Sequence, residues 1–109
     1  MNTRATVAHT AVKVKDINGM IELLEDLLGF RVVRKRGDGD IPSTVWFEEG
    51  LQLMYEPDFN GPEGRLHHLG ISVSDRAAVV AECKRRGFSE VRPNWFALPD
   101  GLVLEFLSE

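Results

Sequence analysis

The chain contains four runs in which apolar and polar positions alternate, the pattern typical of β-strands. Because successive side chains of a strand point to opposite faces, each run carries one apolar row. The rows are Thr10, Val12 and Val14; Leu51, Leu53 and Tyr55; Leu69, Ile71 and Val73; and Leu102, Leu104 and Phe106. Each row predicts a strand face that packs against other parts of the core.

Two segments with helical spacing supply the surfaces that could cover these rows. The first has its apolar residues at intervals of three and four, and the second is a weaker version of the same pattern. Asp16 and Asp75 precede them at N-cap positions, and Gly29 and Gly87 follow them at C-cap positions. The residues predicted to face inward are Ile17, Ile21, Leu24 and Leu28 in the first helix, and Ala77, Val80 and Ala81 in the second.

The order of these elements occurs twice, which predicts a duplicated module. His9 and His68 are 59 positions apart, Gly29 and Gly87 are 58 apart, and Gly50 and Gly101 are 51 apart. The later strands of the second copy have therefore lost about seven positions. We predict an α+β domain over 1–109 with two βαβββ modules, at 5–58 and 65–109. Together they would form a cupped mixed sheet with the helices on its convex face.

The opposite strand faces carry an unusual mixture of polar and large apolar side chains. A face exposed only to solvent would not need two tryptophans, and a core face would not hold histidines and a glutamate. A ligand-binding surface accounts for both. The residues in question are His9, His68 and Glu105, with Trp46, Gln52, Met54 and Trp95 as candidate substrate contacts.

His9 and His68 occupy the same place in the two modules, and Glu105 shares their strand face. Two histidines and one carboxylate form the facial triad that binds Fe(II), Mn(II) and related divalent ions. The sequence therefore predicts a divalent metal centre, with Fe, Mn, Zn or Ni as candidates. His67 competes with His68 for this role, but strand alternation directs it to the helix-covered face.

Composition and charge narrow the classes of partner. The net charge is −4 and 28% of the residues are charged. This composition argues against a basic surface that would bind nucleic acid. The basic run 34–36 is interpreted as a solvated strand end. No apolar stretch approaches a membrane span, and the first ten residues show no signal peptide. Cys83, the only cysteine, is expected in the core, and the chain is expected in the cytoplasm.

The chain resembles the vicinal oxygen chelate superfamily, which includes glyoxalase I, methylmalonyl-CoA epimerase, extradiol dioxygenases and bleomycin-binding proteins. The matching features are His9 and His68 opening their strands, Gly29-Phe30 after the first helix, and Pro99-Asp100-Gly101 four residues before Glu105. The resemblance implies paired modules, metal at the two histidines and the glutamate, and a homodimer. Glyoxalases and epimerases carry a fourth ligand on the closing strand of the first module, where the repeat places Met54.

Two classes of function remain open from the sequence. The first is a metal-dependent enzyme of the glyoxalase or dioxygenase type, a lyase or isomerase, transferase or dioxygenase, acting on a small oxygen-bearing substrate. The second is a metal-free protein that sequesters a small hydrophobic compound, as bleomycin-resistance proteins do. The His9, His68 and Glu105 set favours the first, and the apolar side chains on the same face favour the second.

Overall fold

The computed structural model describes residues 3–61, 64–99 and 102–109. Within these residues the chain forms eight strands and two helices, which confirms the α+β class and the duplicated order of elements. The elements are β1 (Ala5–Val14), α1 (Ile17–Leu28), β2 (Val32–Arg36), β3 (Thr44–Phe47), β4 (Leu51–Tyr55), β5 (Leu66–Val73), α2 (Arg76–Arg85), β6 (Ser89–Arg92), β7 (Trp95–Ala97) and β8 (Val103–Ser108). Neither helix is long and apolar enough to cross a membrane. Asp100 and Gly101 of the predicted motif lie outside the described residues.

The structure divides into two compact units, one of which is built from two separate segments of the chain. Unit 1 combines the chain up to His9 with the chain from His68 to Glu109, and unit 2 is Thr10–His67. The first half of β1 therefore belongs to unit 1, where the backbone N–H of Ser74 donates to the carbonyl of Arg4 at 2.9 Å. The predicted module bounds, 5–58 and 65–109, stay a prediction.

The two units contain the same mixed arrangement of strands. In unit 2 the second half of β1 pairs in parallel with β4, which continues through antiparallel pairs to β3 and β2. In unit 1 β5 pairs in parallel with β8, which continues through antiparallel pairs to β7 and β6. Each helix therefore connects two strands that are not adjacent in the sheet, as in a βαβ connection.

Each unit has its own apolar core between its helix and its strands. In unit 2, Ile17 and Ile21 of α1 pack with Val14, Val45, Phe47 and Leu53; in unit 1, Val79 and Cys83 of α2 pack with Val73, Phe96 and Phe106. Most of the predicted apolar rows thus lie under the helices. Burial raises the pKa of the Cys83 thiol, which agrees with a packing role.

The predicted helix faces need two corrections. Leu28 is 57% exposed, because it is the last residue of α1 and the chain turns away at Gly29. In α2, Val79 and Cys83 are buried, whereas Ala77 and Ala81 are exposed. Burying valine and cysteine removes more apolar surface from water than burying alanine, so the helix turns those two side chains inward.

The strand registers correct the expected offset between the modules. Residues 37–43 connect β2 to β3, but only 93–94 connect β6 to β7, so the second hairpin is five residues shorter. Ala11 lies beside Gln52, and Gly70, its counterpart, lies beside Glu105. Gln52, not Met54, therefore occupies the position equivalent to Glu105. An amide oxygen is a ligand that hard cations accept, which a thioether is not.

Both helices begin with the predicted aspartate caps. Asp16 Oδ1 accepts from the backbone N–H of Gly19, and Asp75 Oδ1 accepts from that of Ala78, each at 3.0 Å. Replacing either aspartate with alanine is expected to lower the free energy of unfolding by about 1 kcal/mol, because one helical N–H loses its partner. Urea unfolding measures this change. Asp26→Ala, late in α1, is the control, and an equal loss in that variant would contradict the capping interpretation.

Candidate metal centre

His9 and His68 meet inside unit 1. His9 lies on β1 and His68 on β5, and their side chains are buried, with His68 only 1% exposed. Their Nε2 atoms are 3.1 Å apart, and the rings meet edge to face with centroids at 5.2 Å. Two residues 59 positions apart are thus brought into direct contact by the strands, as the repeat predicted.

Glu105 completes the group from β8. The register places it beside Gly70, which lies two residues beyond His68 on β5. Its Oε1 lies 3.1 Å from His9 Nε2 and 3.2 Å from His68 Nε2. The adjacent histidine, His67, is not a member of this group.

Gly70 is a fourth residue on which the arrangement depends. A Cβ added there would lie 2.3 Å from Cε1 of His9 and 2.5 Å from each of its ring nitrogens. The absence of a side chain therefore creates the space that the His9 imidazole fills. A glycine inside a strand is itself a signal of a close approach, and it could have identified this position from the sequence.

The three polar atoms converge in a way that favours a cation. Each neutral imidazole has one N–H, so two Nε2 atoms in contact with each other and with one oxygen cannot all be paired as donors and acceptors. The unpaired contact is either the one between the two nitrogens or one of those with the carboxylate oxygen. A positive ion satisfies all of these groups at once.

The spacing of the three atoms is compatible with a shared divalent ion. Neighbouring ligands on an octahedron are separated by about 1.4 times the metal–ligand bond, so edges of 3.1–3.2 Å correspond to bonds of about 2.2 Å. On a tetrahedron the same edges correspond to bonds of about 1.9 Å, within about 0.2 Å of zinc–imidazole bonds. The three atoms are thus close enough together to contact one ion of either geometry.

His9 and His68 favour the ionised form of the Glu105 carboxyl. Burial by itself would raise the pKa of this carboxyl, but the hydrogen bonds from His68 and His9 lower it to about 2. The stabilisation that this carboxylate contributes is present above its ordinary pKa of 4.5 and is lost as the pH falls toward 2. Glu105 is therefore ionised over the whole physiological range.

Comparison with known proteins places the chain in a family. Residues 6–104 match the model of the Glyoxalase/Bleomycin resistance protein/Dioxygenase superfamily. The chain belongs to this superfamily. That is the vicinal oxygen chelate group whose fold and motifs the sequence resembles.

Relatives within the superfamily agree on the fold. The uncharacterized protein YwbC of Bacillus subtilis (strain 168) is 26% identical over 104 residues, 87% of this chain and 82% of that protein. A methylmalonyl-CoA epimerase of Streptomyces coelicolor superposes with a TM-score of 0.70 at 15% identity, covering 94% and 96% of the two chains. An extradiol ring-cleaving dioxygenase from B. fuscum gives 0.74 at 22% identity, over 94% of this chain and 33% of the dioxygenase.

One of the four candidate substrate contacts lies beside the group formed by His9, His68 and Glu105 in unit 1. The Trp95 ring is tilted against His68, with the two centroids 4.2 Å apart. In the register of β7 and β8, Trp95 lies directly beside Glu105. Its indole therefore forms an apolar wall next to two of the three candidate ligands.

The other three candidate contacts, Trp46, Gln52 and Met54, lie together in unit 2. The guanidinium carbon of Arg34 is 4.8 Å from the Trp46 ring centroid, so part of the basic run stacks on this aromatic ring. Gln52 Nε2 donates to Thr44 Oγ1 at 2.9 Å and to Met54 Sδ at 3.2 Å. These residues share one strand face, as the alternation predicted.

The Gln52 amide has a fixed orientation and an unused acceptor. The Thr44 hydroxyl donates to the carbonyl of Leu53 at 2.7 Å, so its oxygen accepts from the amide nitrogen of Gln52. Gln52 is 4% exposed, and its Oε1 has no hydrogen-bond partner among the described residues. A buried acceptor of this kind is commonly satisfied by a ligand or an ion.

Proposed function

We propose that this chain is a metal-dependent enzyme that acts on a small oxygen-bearing substrate. His9, His68 and Glu105 would hold a divalent ion through two imidazole nitrogens and one carboxylate oxygen. The observation that carries this proposal is the convergence of the three polar atoms at 3.1–3.2 Å in a largely buried position. Manganese, iron, zinc and nickel are all candidates, because imidazole and carboxylate ligands accept each of these divalent ions.

The bound ion would supply Lewis acidity at coordination positions left open to the substrate. The residues of the chain orient and protect that position. The Glu105 carboxylate, ionised at neutral pH, balances the positive charge, and Gly70 leaves room for the His9 imidazole. Trp95 excludes water from one side and offers a flat surface to an apolar part of the substrate.

Metal titration of protein purified without a histidine tag tests this proposal. We expect one divalent ion per chain with Mn(II), Fe(II) or Zn(II), and weaker binding of Mn(II) than of Zn(II), following the general order of divalent affinities. His68→Ala is expected to reduce the affinity at least tenfold, because it removes one of three protein ligands. His67→Ala is the matched control, since it removes the neighbouring imidazole and keeps all three ligands. Unchanged affinity in His68→Ala would exclude the proposed centre.

Affinity for Mn(II) is expected to fall as the solution is acidified. A histidine must be neutral to act as a ligand, so protons compete with the ion for both imidazoles. Glu105 remains ionised down to about pH 2 and does not contribute to this competition. We expect at least a tenfold loss of affinity between pH 7.5 and pH 5.5, measured by calorimetric titration. A constant affinity over this interval would mean that the histidines are not ligands.

The other function considered is metal-free binding of a small hydrophobic compound. A protein that takes up no metal, and whose His68→Ala variant still binds the same apolar ligands, would support that function instead. Substrate contact by Trp46, Gln52, Met54 and Trp95, assembly as a homodimer and a cytoplasmic location stay predictions.

A further inference from the structure

Arg92 lies on the same strand face as the candidate metal centre. In the register of β6 and β7 it is the partner of Trp95, which is itself the partner of Glu105. Adjacent strands are about 4.8 Å apart, so Arg92 begins about 10 Å from Glu105, two strands further across the sheet. This distance is within the span of a small substrate.

The indole of Trp95 separates the arginine from the centre. The guanidinium carbon of Arg92 is 5.2 Å from the Trp95 ring centroid, and the same ring lies 4.2 Å from the His68 ring. A guanidinium held against an aromatic ring by a cation–π contact keeps its N–H groups available, because they point outward in the plane of the guanidinium itself. The Trp95 ring thus orients the Arg92 guanidinium, whose N–H donors remain open to a ligand.

No carboxylate of the described residues forms an ion pair with Arg92. Glu90, two residues earlier, contacts Lys84 of α2 at 3.6 Å and accepts from the backbone N–H of Asn94 at 3.1 Å. The other arginines and lysines between 68 and 109 belong to α2 or its C-cap. Arg92 is therefore the cation that the strands of unit 1 supply after His68.

The first module contains the same stack of an arginine on a tryptophan. Arg34 is the register partner of Trp46, and its guanidinium carbon lies 4.8 Å from that ring. In both hairpins the register shifts immediately before the arginine, between Val32 and Arg34 and between Glu90 and Arg92. Irregularities of this kind redirect side chains and are frequent near active sites.

We propose that Arg92 binds an anionic group of the substrate, so that the enzyme acts on small carboxylates with a flat apolar body. The oxygen atoms at one end would reach the metal, the body would pass across the edge of the Trp95 ring, and the carboxylate would receive two N–H donors from Arg92. This inference depends on the proposed metal centre and adds the charge and shape of the substrate to it.

Two probes that differ in one carboxylate test the inference. Catechol and 3,4-dihydroxybenzoate each offer vicinal oxygens to Mn(II), and only the second carries the anion. Binding of both to the Mn(II)-loaded full chain is measured by calorimetry for the wild type, Arg92→Gln and Arg76→Gln. Arg76, at the start of α2, is the matched control because it lies on the helix rather than on this strand face.

We expect the wild type to prefer 3,4-dihydroxybenzoate, and Arg92→Gln to bind it about tenfold more weakly with less than a twofold change for catechol. Arg76→Gln should match the wild type with both probes. Equal effects of Arg92→Gln on the two probes, or none on either, would overturn the role of Arg92 while leaving the metal centre intact. Failure of the wild type to take up Mn(II) would instead overturn the proposed function, and this inference with it.

Discussion

Gly70→Ala is expected to lower Mn(II) affinity by about a hundredfold or more while the chain keeps its secondary structure. The added methyl group would lie 2.3–2.5 Å from three atoms of the His9 ring, which no carbon can occupy. Because these atoms belong to a side chain, the imidazole can rotate away without unfolding β5. The centre would then lose a ligand although all three ligand residues are present in the sequence.

Calorimetric titration with Mn(II), together with far-ultraviolet circular dichroism, measures the two parts of this expectation. Ser72→Ala is the control, because Ser72 lies on the same strand face two residues further along β5. It should bind Mn(II) as the wild type does. Full affinity in Gly70→Ala would show that the His9 position in contact with Gly70 is not needed for metal binding.

Glu105→Gln is expected to reduce Mn(II) affinity by a similar factor through charge alone. The amide has nearly the same shape as the carboxylate and can still accept from one of the imidazoles, so packing is preserved. It no longer balances the charge of the ion, and a neutral amide is a weaker ligand for a hard cation than a carboxylate. Metal titration should therefore show a large loss of affinity, and urea unfolding of the apoprotein should show a loss of stability as well, because the histidines no longer donate to a charged acceptor.

Glu109→Gln controls for the loss of one negative charge in the same unit. Glu109 pairs with Arg4 at the surface, where both side chains are largely exposed. Mn(II) affinity in this variant should remain within twofold of the wild type, because exposed charges are screened by solvent and salt. A loss comparable to that of Glu105→Gln would mean that net charge, rather than coordination, governs binding.

The repeat in the sequence predicted most of what places the candidate centre. Strand alternation assigned His9, His68 and Glu105 to one face, and the structure brings their ligand atoms within 4.8 Å of one another. This succeeded because the direction of a side chain from a strand depends on a period of two, which local sequence determines. Their metal-binding role stays a prediction that the proposed titrations test.

Features that depend on competition between similar surfaces were harder to predict. Val80 of α2 packs against the core as predicted, but Ala77 and Ala81 do not. Alanines at helical spacing indicate a face only weakly, and Val79 and Cys83 bury more apolar surface. The equivalence of Met54 with Glu105 was also wrong. It used the glycines that open the two closing strands as the reference, but five residues separate β7 from β8 and only three separate β3 from β4, so the register puts Gln52 there.

The division of the chain has a consequence for biosynthesis. His9 leaves the ribosome 96 residues before Glu105, which lies on β8. Both belong to unit 1, in which the start of the chain joins the segment from His68 onward. A nascent chain therefore cannot complete the set of ligands until β8 has emerged and paired with β5. Metal capture would then wait for β8, and chains interrupted before β8 would compete little for the cellular supply of the ion.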